Sequence, residues 1–196
     1  MTNAATAGAS DSVAGRTLGD GERTAAGFFL AAKTPSALER YHRPMDAHEI
    51  RRMRMEELEP VVALWRRSRD ENQPWLEARM SYSGDDDLRH FREVVAREND
   101  VWLALSAGRV LGLLALHDGF IAQLYVDPAA QRRGVGSALI AHASALSPAG
   151  LSLYTHQRNL RARRFYERHG FRPAAFGVSP GAECEPDVRY ELRPRA

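Results

Sequence analysis

Phosphate recognition is the chemistry open to the stretch Gln131-Arg132-Arg133-Gly134-Val135-Gly136-Ser137-Ala138. An apolar run from Phe120 to Val126 precedes it and reads as a buried strand, ended by Asp127-Pro128. After it, Val135, Leu139, Ile140, Ala143 and Leu146 recur at helical spacing. The order is strand, two-glycine loop, helix. The first N–H groups of a helix lack intrahelical partners and lie at the positive end of its dipole, so such a junction binds phosphate. Gly134 and Gly136 let a ligand approach the main chain. Arg132 and Arg133 can add charge-assisted hydrogen bonds. Two other phosphate loops do not fit. No lysine is present for a Walker loop, and Leu139 stands where a dinucleotide fingerprint needs a third glycine. An ordinary strand-to-helix turn with solvated arginines is the competing reading.

The flanks make the pattern specific. The Gln131–Ala138 stretch resembles the Q/R-x-x-G-x-G/A motif of the GNAT superfamily of N-acetyltransferases, and Gln123-Leu124-Tyr125-Val126-Asp127-Pro128 resembles that family's fourth strand. Downstream, Asn159-Leu160-Arg161-Ala162-Arg163-Arg164-Phe165-Tyr166-Glu167-Arg168-His169-Gly170-Phe171 is similar to the family's N-x-x-A-x-x-F-Y-x-x-x-G-F. The resemblance runs from about Met45 to Arg193 in outline and is specific from about Val101 to Phe171. It implies an α/β fold with a mixed, mostly antiparallel central sheet and helices on both faces. A parallel strand pair carrying Leu124 and Leu153 would splay apart to admit a pantetheine arm. It also implies direct transfer of acetyl from acetyl-coenzyme A, as co-substrate, to a primary amine.

By the same resemblance, Gln131, Arg132, Arg133, Gly134, Val135, Gly136 and Ser137 would hold the pyrophosphate. Backbone groups in the segment Leu124, Tyr125, Val126 would pair with the pantetheine and the acetyl carbonyl. Asn159, followed by Ala162 in the second motif, would either cap its helix or bond the pantetheine region. Tyr166 is the expected general acid for the leaving thiolate. A phenol has a pKa near that of an alkyl thiol, so the transfer is not expected to be uphill. The base is less clear. Many members place a glutamate early in the fourth strand, where this chain has Phe120. His117 and Asp118 are close in sequence and could act through water; a surface His and a turn Asp are the competing reading. His156 and His169 read as structural or solvent-facing. Trp75 and Tyr82 fall where the family shapes its acceptor site, although Trp75 also suits plain packing. Arg161, Arg163, Arg164 and Arg168 form a basic face, either solvated or set against coenzyme phosphate.

The elements that must position these residues follow from periodicity. Glu49–Met53 is a plausible first strand, and Leu58, Val61, Val62, Leu64 and Trp65 mark a helix over Glu56–Arg69. A short helix from Pro74 to Met80 follows, then a helix from Asp85 to Glu98 with Leu88, Phe91, Val94 and Val95 inward. Val101–Ser106 and Val110–Leu116 read as a hairpin about Ala107-Gly108-Arg109. Leu151–Thr155 is a strand, Asn159–His169 a helix stopped by Gly170, and Phe171–Val178 with Val188–Leu192 two closing strands.

The 196 residues suffice for one domain with a sizeable core, and 44% hydrophobic with 27% charged residues suits a globular chain. Residues 1–44 lack core periodicity and read as a disordered extension, with the N-acetyltransferase domain over 45–196; Met45 is an alternative start. No apolar run is long enough to span a bilayer. A net charge of +2 and no aromatic interleaving of the arginines argue against nucleic acid as a partner. The single Cys184 excludes an intrachain disulfide and fits a reducing, cytoplasmic setting. No His, Cys, Asp or Glu spacing points to a metal. The acceptor, a small-molecule amine or a peptide amine, is not named by any motif, and oligomeric state is open, a homodimer included. A non-catalytic acyl-coenzyme A sensor and a protein N-terminal acetyltransferase are the alternatives.

Overall fold

The computed structural model describes residues 48–77, 83–180 and 183–194. The reading of residues 1–44 as a disordered extension, and the acceptor-site reading of Tyr82, lie outside these residues. Seven strands form one sheet: β1 (Glu49–Arg52), β2 (Asp100–Ser106), β3 (Arg109–His117), β4 (Phe120–Val126), β5 (Leu151–His156), β6 (Arg172–Val178) and β7 (Pro186–Leu192). Their order across the sheet is β1-β2-β3-β4-β5-β7-β6. Every pairing is antiparallel except β4 with β5. Helices cover both faces: α1 (Leu58–Asn72), α2 (Pro74–Glu77) and α3 (Gly84–His90) precede the hairpin, and α4 (Val135–Leu146) and α5 (Leu160–Arg168) follow β4 and β5.

Alternation along β2 and β3 divides the core between the two faces. Leu103, Leu105, Leu113 and Ala115 pack under α1 with Val61, Val62 and Trp65. Ala104, Leu114 and Leu116 turn to the opposite face, where Val135, Leu139 and Ile140 of α4 and Tyr166 of α5 close over them. Residues pointing to both faces of a strand are apolar because both faces are covered.

Local rules account for most boundaries. Ser83, not Asp85, caps α3: its Oγ accepts from Asp86 N–H at 3.1 Å, and the Asp86 carboxylate bonds back to Ser83 N–H at 3.2 Å. The helix then runs through a π turn, Phe91–Val95, before ending at Ala96–Glu98. The wider turn buries Phe91 and Val95 but leaves Val94, expected inside, 38% exposed. Leu146 is likewise exposed, since it is the last residue of α4 and lies past the sheet-facing turns.

A bulge in β4 sets up the site. Leu116 pairs with Ile121 while Ala115 pairs with Gln123, so Ala122 is left over. Before the bulge Ile121 faces α4; after it Gln123 and Tyr125 face α1, and Leu124 and Val126 return to the α4 side. Trp65 Nε1–H donates to Gln123 Oε1 at 3.3 Å, and the Trp65 ring meets Tyr125 edge-on at 6.5 Å.

Candidate active site

β4 and β5 are hydrogen-bonded only where they begin. Phe120 pairs with Ser152 and Ile121 with Leu153, and the strands part beyond. Asp127 N–H donates to Leu111 O at 2.8 Å. By the alternation of an antiparallel ladder, Leu124 and Val126 therefore point their N–H and C=O groups away from β3, into the gap left by β5. A half-buried strand edge left unpaired seeks a partner. The Val126 carbonyl accepts from Ser68 Oγ at 3.1 Å and Gln131 Nε2 at 3.3 Å. The gap opens into a cleft of about 1650 Å³ that runs from the α1 side of the sheet to the start of α4.

Asp127 anchors the loop that follows. It is 3% exposed, accepts from Ala129 N–H at 2.9 Å and is paired with Arg67 at 2.9 Å and Arg109 at 3.6 Å. Burial pushes its carboxyl up, but the Arg67 and Ala129 hydrogen bonds outweigh burial and hold it below the usual carboxylate range. A depressed pKa stabilises the fold at neutral pH, and the contribution is lost as pH falls through it. Asp127→Ala is expected to cost about 1–3 kcal/mol in chemical denaturation. The deficit should narrow on acidification, because wild type loses the same contribution.

Beyond Asp127 the chain makes two left-handed residues, Arg132 (φ 62°) and Gly134 (φ 85°). Gly134 caps α4, and the first intrahelical bond is Ala138 N–H to Gly134 O at 2.9 Å. The N–H groups of Val135, Gly136 and Ser137 are thus free of the helix, and Gly136 and Ser137 line the cleft. Gly136 allows α5 to pack close, since a Cβ there would stand 3.0 Å from the Phe165 ring. Ser137 Oγ bonds His169 Nε2 at 2.9 Å while His169 Nδ1 bonds Phe165 O at 2.8 Å. Because a carbonyl can only accept, Nδ1 carries the proton, and Nε2 and the serine hydroxyl share the other bond. Through these two bonds His169 ties the loop to α5.

Helix α5 presents the second motif. Asn159 caps it through Oδ1, which accepts from Ala162 N–H at 3.1 Å. The Asn159 amide N–H₂ has no hydrogen-bond partner among the described residues and lines the cleft, so the two jobs weighed for Asn159 are compatible. Tyr166 is 7% exposed, its ring against Phe165, Phe171 and Tyr190. Burial pushes its phenol well above the ordinary range, and nearby Tyr125 adds to the effect. Tyr166 therefore keeps its proton at any working pH. The same burial weakens it as an acid relative to a free phenol. Tyr190 O–H donates to Glu167 at 2.6 Å and accepts from Arg163 Nε at 3.2 Å, which pins α5 to β7.

The four arginines of α5 separate by role. Arg163 is committed to Tyr190 and Gln157 O, and Arg161 to Glu71, Asn72 and Gln131. Arg164 and Arg168 line the cleft beside Arg132 and have no ion pair among the described residues. Arg133 does not line the cleft; its carbonyl faces His48. If Arg164 and Arg168 meet phosphate, replacing both by alanine should weaken coenzyme binding roughly tenfold or more, with a shallower salt dependence by calorimetry.

His117 and Asp118 are not brought to this cleft. They form the β3–β4 turn, with side chains 65% and 92% exposed, and line a separate surface depression with Trp102 and Leu146. The turn lies at the end of β4 opposite Leu124, so nearness in sequence did not become nearness in space. Trp75 is also outside the cleft and packs under Arg158 at 5.1 Å. Two residues not assigned to the site from the sequence do line it: His156, read there as structural or solvent-facing, and Asp187, its strand partner across β5 and β7.

The family model of the acetyltransferase (GNAT) domain matches residues 97–173, which spans both motifs and the strands between them. Peptidyl-lysine N-acetyltransferase YjaB of Salmonella typhimurium is 32% identical over 124 residues, 63% of this chain and 82% of that protein. The chain belongs to the GNAT superfamily of N-acetyltransferases. The solution structure of apo-form YjaB from Escherichia coli superposes with a TM-score of 0.62 at 26% identity, over 76% of this chain and 99% of that one. The PaiA N-acetyltransferase of Thermoplasma acidophilum, solved in complex with coenzyme A, shares the fold at a TM-score of 0.56 and 21% identity, over 75% and 99%. This acetyltransferase thus has the splayed strand pair, the two-glycine loop and the motif tyrosine on one cleft. Among its described residues no helix is long and apolar enough to cross a membrane, and no cluster of His, Cys, Asp and Glu could hold a metal.

Proposed function

We propose that this acetyltransferase moves the acetyl group of acetyl-coenzyme A directly to a primary amine of lysine-like character. The observation that carries the reading is the continuity of the cleft. The β4 edge that β5 leaves unpaired, at Leu124 and the Val126 N–H, runs without a break to the free N–H groups at the start of α4, with Tyr166 on the wall between. A phosphate-bearing thioester fits that arrangement. The N–H groups of Val135, Gly136 and Ser137 with Arg132 would take the pyrophosphate. The β4 edge would take the pantetheine as an added strand, and the Leu124 N–H would meet the acyl oxygen as its charge grows. Tyr166, protonated and facing the cleft, would supply the proton to the departing sulfur.

The acceptor would approach from the α1 side, where Gln123 and Tyr125 are turned by the bulge. The relatives named peptidyl-lysine N-acetyltransferases support an amine acceptor of that class. Exposed Cys184 is not among the cleft residues, which favours direct transfer over a covalent enzyme intermediate, and its solitary presence fits a reducing, cytoplasmic setting. The catalytic unit would be residues 45–196. The test is coenzyme A release over a panel of Nα-blocked lysine amide, polyamines, aminoglycosides and peptides with free α-amines. Turnover confined to lysine-type or polyamine substrates is expected. Turnover confined to free peptide N-termini would assign the protein N-terminal acetyltransferase reading instead, and none at all with any amine would leave a coenzyme-binding module.

A further inference from the structure

His156 is the last residue of β5, is 9% exposed and lines the cleft. Its Nδ1 is buried without a hydrogen-bond partner, and its Nε2 stands 3.9 Å from Glu183 Oε2, too far for a hydrogen bond. A buried imidazole with neither nitrogen bonded is unusual, because a buried polar group without a partner costs free energy. Across β5 and β7 its strand partner is Asp187, so the two side chains share a face. Asp187 is 8% exposed; its carbonyl accepts from Gln157 Nε2 at 2.9 Å, while its carboxylate has no hydrogen bond or ion pair among the described residues. Gly177 makes room for it, since a Cβ there would come within 3.1 Å of Asp187 Oδ1. Glu183 adds a second carboxylate; burial pushes the Tyr125 phenol up, Arg69 opposes this and Glu183 adds to it. An imidazole and two carboxylates therefore line one end of the cleft.

Their position relative to the acyl-transfer line follows from the two strands. Ile121 pairs with Leu153 where β4 and β5 separate. Leu124 lies beyond that pair on β4 and His156 beyond it on β5, and both line the cleft between the strands. Leu124 would offer the backbone donor for the acyl oxygen, and His156 stands on the β5 wall, 3.9 Å from Glu183.

We propose that His156 is the base that takes a proton from the acceptor ammonium, and that Asp187 with Glu183 seats the cation before it is deprotonated. The inference rests on the amine-acetylation reading above. The ammonium gives one proton to a ring nitrogen of His156 and becomes a neutral amine. Its nitrogen lone pair adds to the thioester carbon, so that C–N forms and C–S breaks. The departing thiolate takes a proton from Tyr166, which is restored by the proton the new amide nitrogen sheds. The imidazolium then releases its proton to solvent. One ammonium and one thioester yield one amide, one thiol and one proton, with no redox partner.

The test uses the full chain and the amine that turns over fastest in the panel. His156→Gln should lower kcat/KM about 100-fold or more, within the range for lost general-base catalysis, with acetyl-coenzyme A affinity unchanged by calorimetry. The loss should shrink for methoxyamine, which is neutral at the assay pH and needs no base. In His156→Ala, added imidazole should restore turnover, whereas pyrazole, of the same size but far weaker as a base, should not. Asp187→Asn should raise KM for cationic acceptors more than it lowers kcat. Wild-type-like turnover in folded His156→Gln, or equal rescue by pyrazole, overturns the assignment of the base while leaving amine acetylation standing. No turnover by wild type with any amine overturns the amine-acetylation reading and this inference with it. If His156→Gln fails to fold, the imidazole-against-pyrazole comparison in His156→Ala decides.

Discussion

Replacing Gly134 by aspartate is expected to abolish coenzyme binding while leaving the protein folded. Gly134 sits at φ 85° as the N-cap of α4. Aspartate tolerates the left-handed region better than most residues and is a favourable N-cap, so the local fold has a route to survive. Its carboxylate would satisfy the N–H groups meant for phosphate and place a like charge beside the pyrophosphate. Losing one or two charge-assisted hydrogen bonds, each about 1.5–3 kcal/mol, corresponds to a loss of about 10- to 10⁴-fold in affinity. Calorimetry with acetyl-coenzyme A, on a variant checked by circular dichroism, makes the comparison. Retained affinity in a folded variant removes this loop from the coenzyme site.

The second large effect is expected from Tyr166→Phe. The phenol oxygen has no hydrogen bond among the described residues, while its ring contacts with Phe165, Phe171 and Tyr190 survive the substitution. Stability should therefore hardly change. If the phenol protonates the leaving thiolate, kcat should fall by about 10²–10⁴-fold with coenzyme affinity intact. The fall should shrink for acyl donors with more acidic thiols, which need less help to leave. Because burial weakens this acid, the advantage should be steeply sensitive to thiol basicity. Steady-state turnover of both forms over a donor series measures it. Wild-type turnover in the variant makes Tyr166 a packing residue.

Much of this was legible in the residues themselves. Strand β4 and helices α4 and α5 carry strong periodicity and are bounded by local punctuation: Asp127-Pro128, Gly134, Asn159 and Gly170. Their limits need no tertiary information. The two-glycine loop and Tyr166 likewise belong to local motifs. What escaped depends on distant partners. The β4 bulge exists because of how Ala115 and Leu116 register against β4, and no residue within the strand announces it. The π turn at Phe91–Val95 exposes Val94 by a change of winding that apolar spacing does not distinguish from an α-helix. His156 and Asp187 become neighbours only through β5–β7 pairing, so each alone reads as a strand-end polar residue. His117 and Asp118 failed for the converse reason: adjacent to β4 in sequence, they occupy its far end.

The measurement that tests the account most directly follows the acetyl group itself. Acetyl-coenzyme A carrying an isotopically labelled acetyl is mixed with the protein and the best acceptor amine, and the intact masses of protein and acceptor are followed through turnover. The account predicts label on the acceptor nitrogen, one thiol released per acetyl transferred, and none accumulating on the protein, Cys184 included. Label held on the protein, or thiol release without an acetylated amine, would contradict direct transfer through the cleft between β4 and β5.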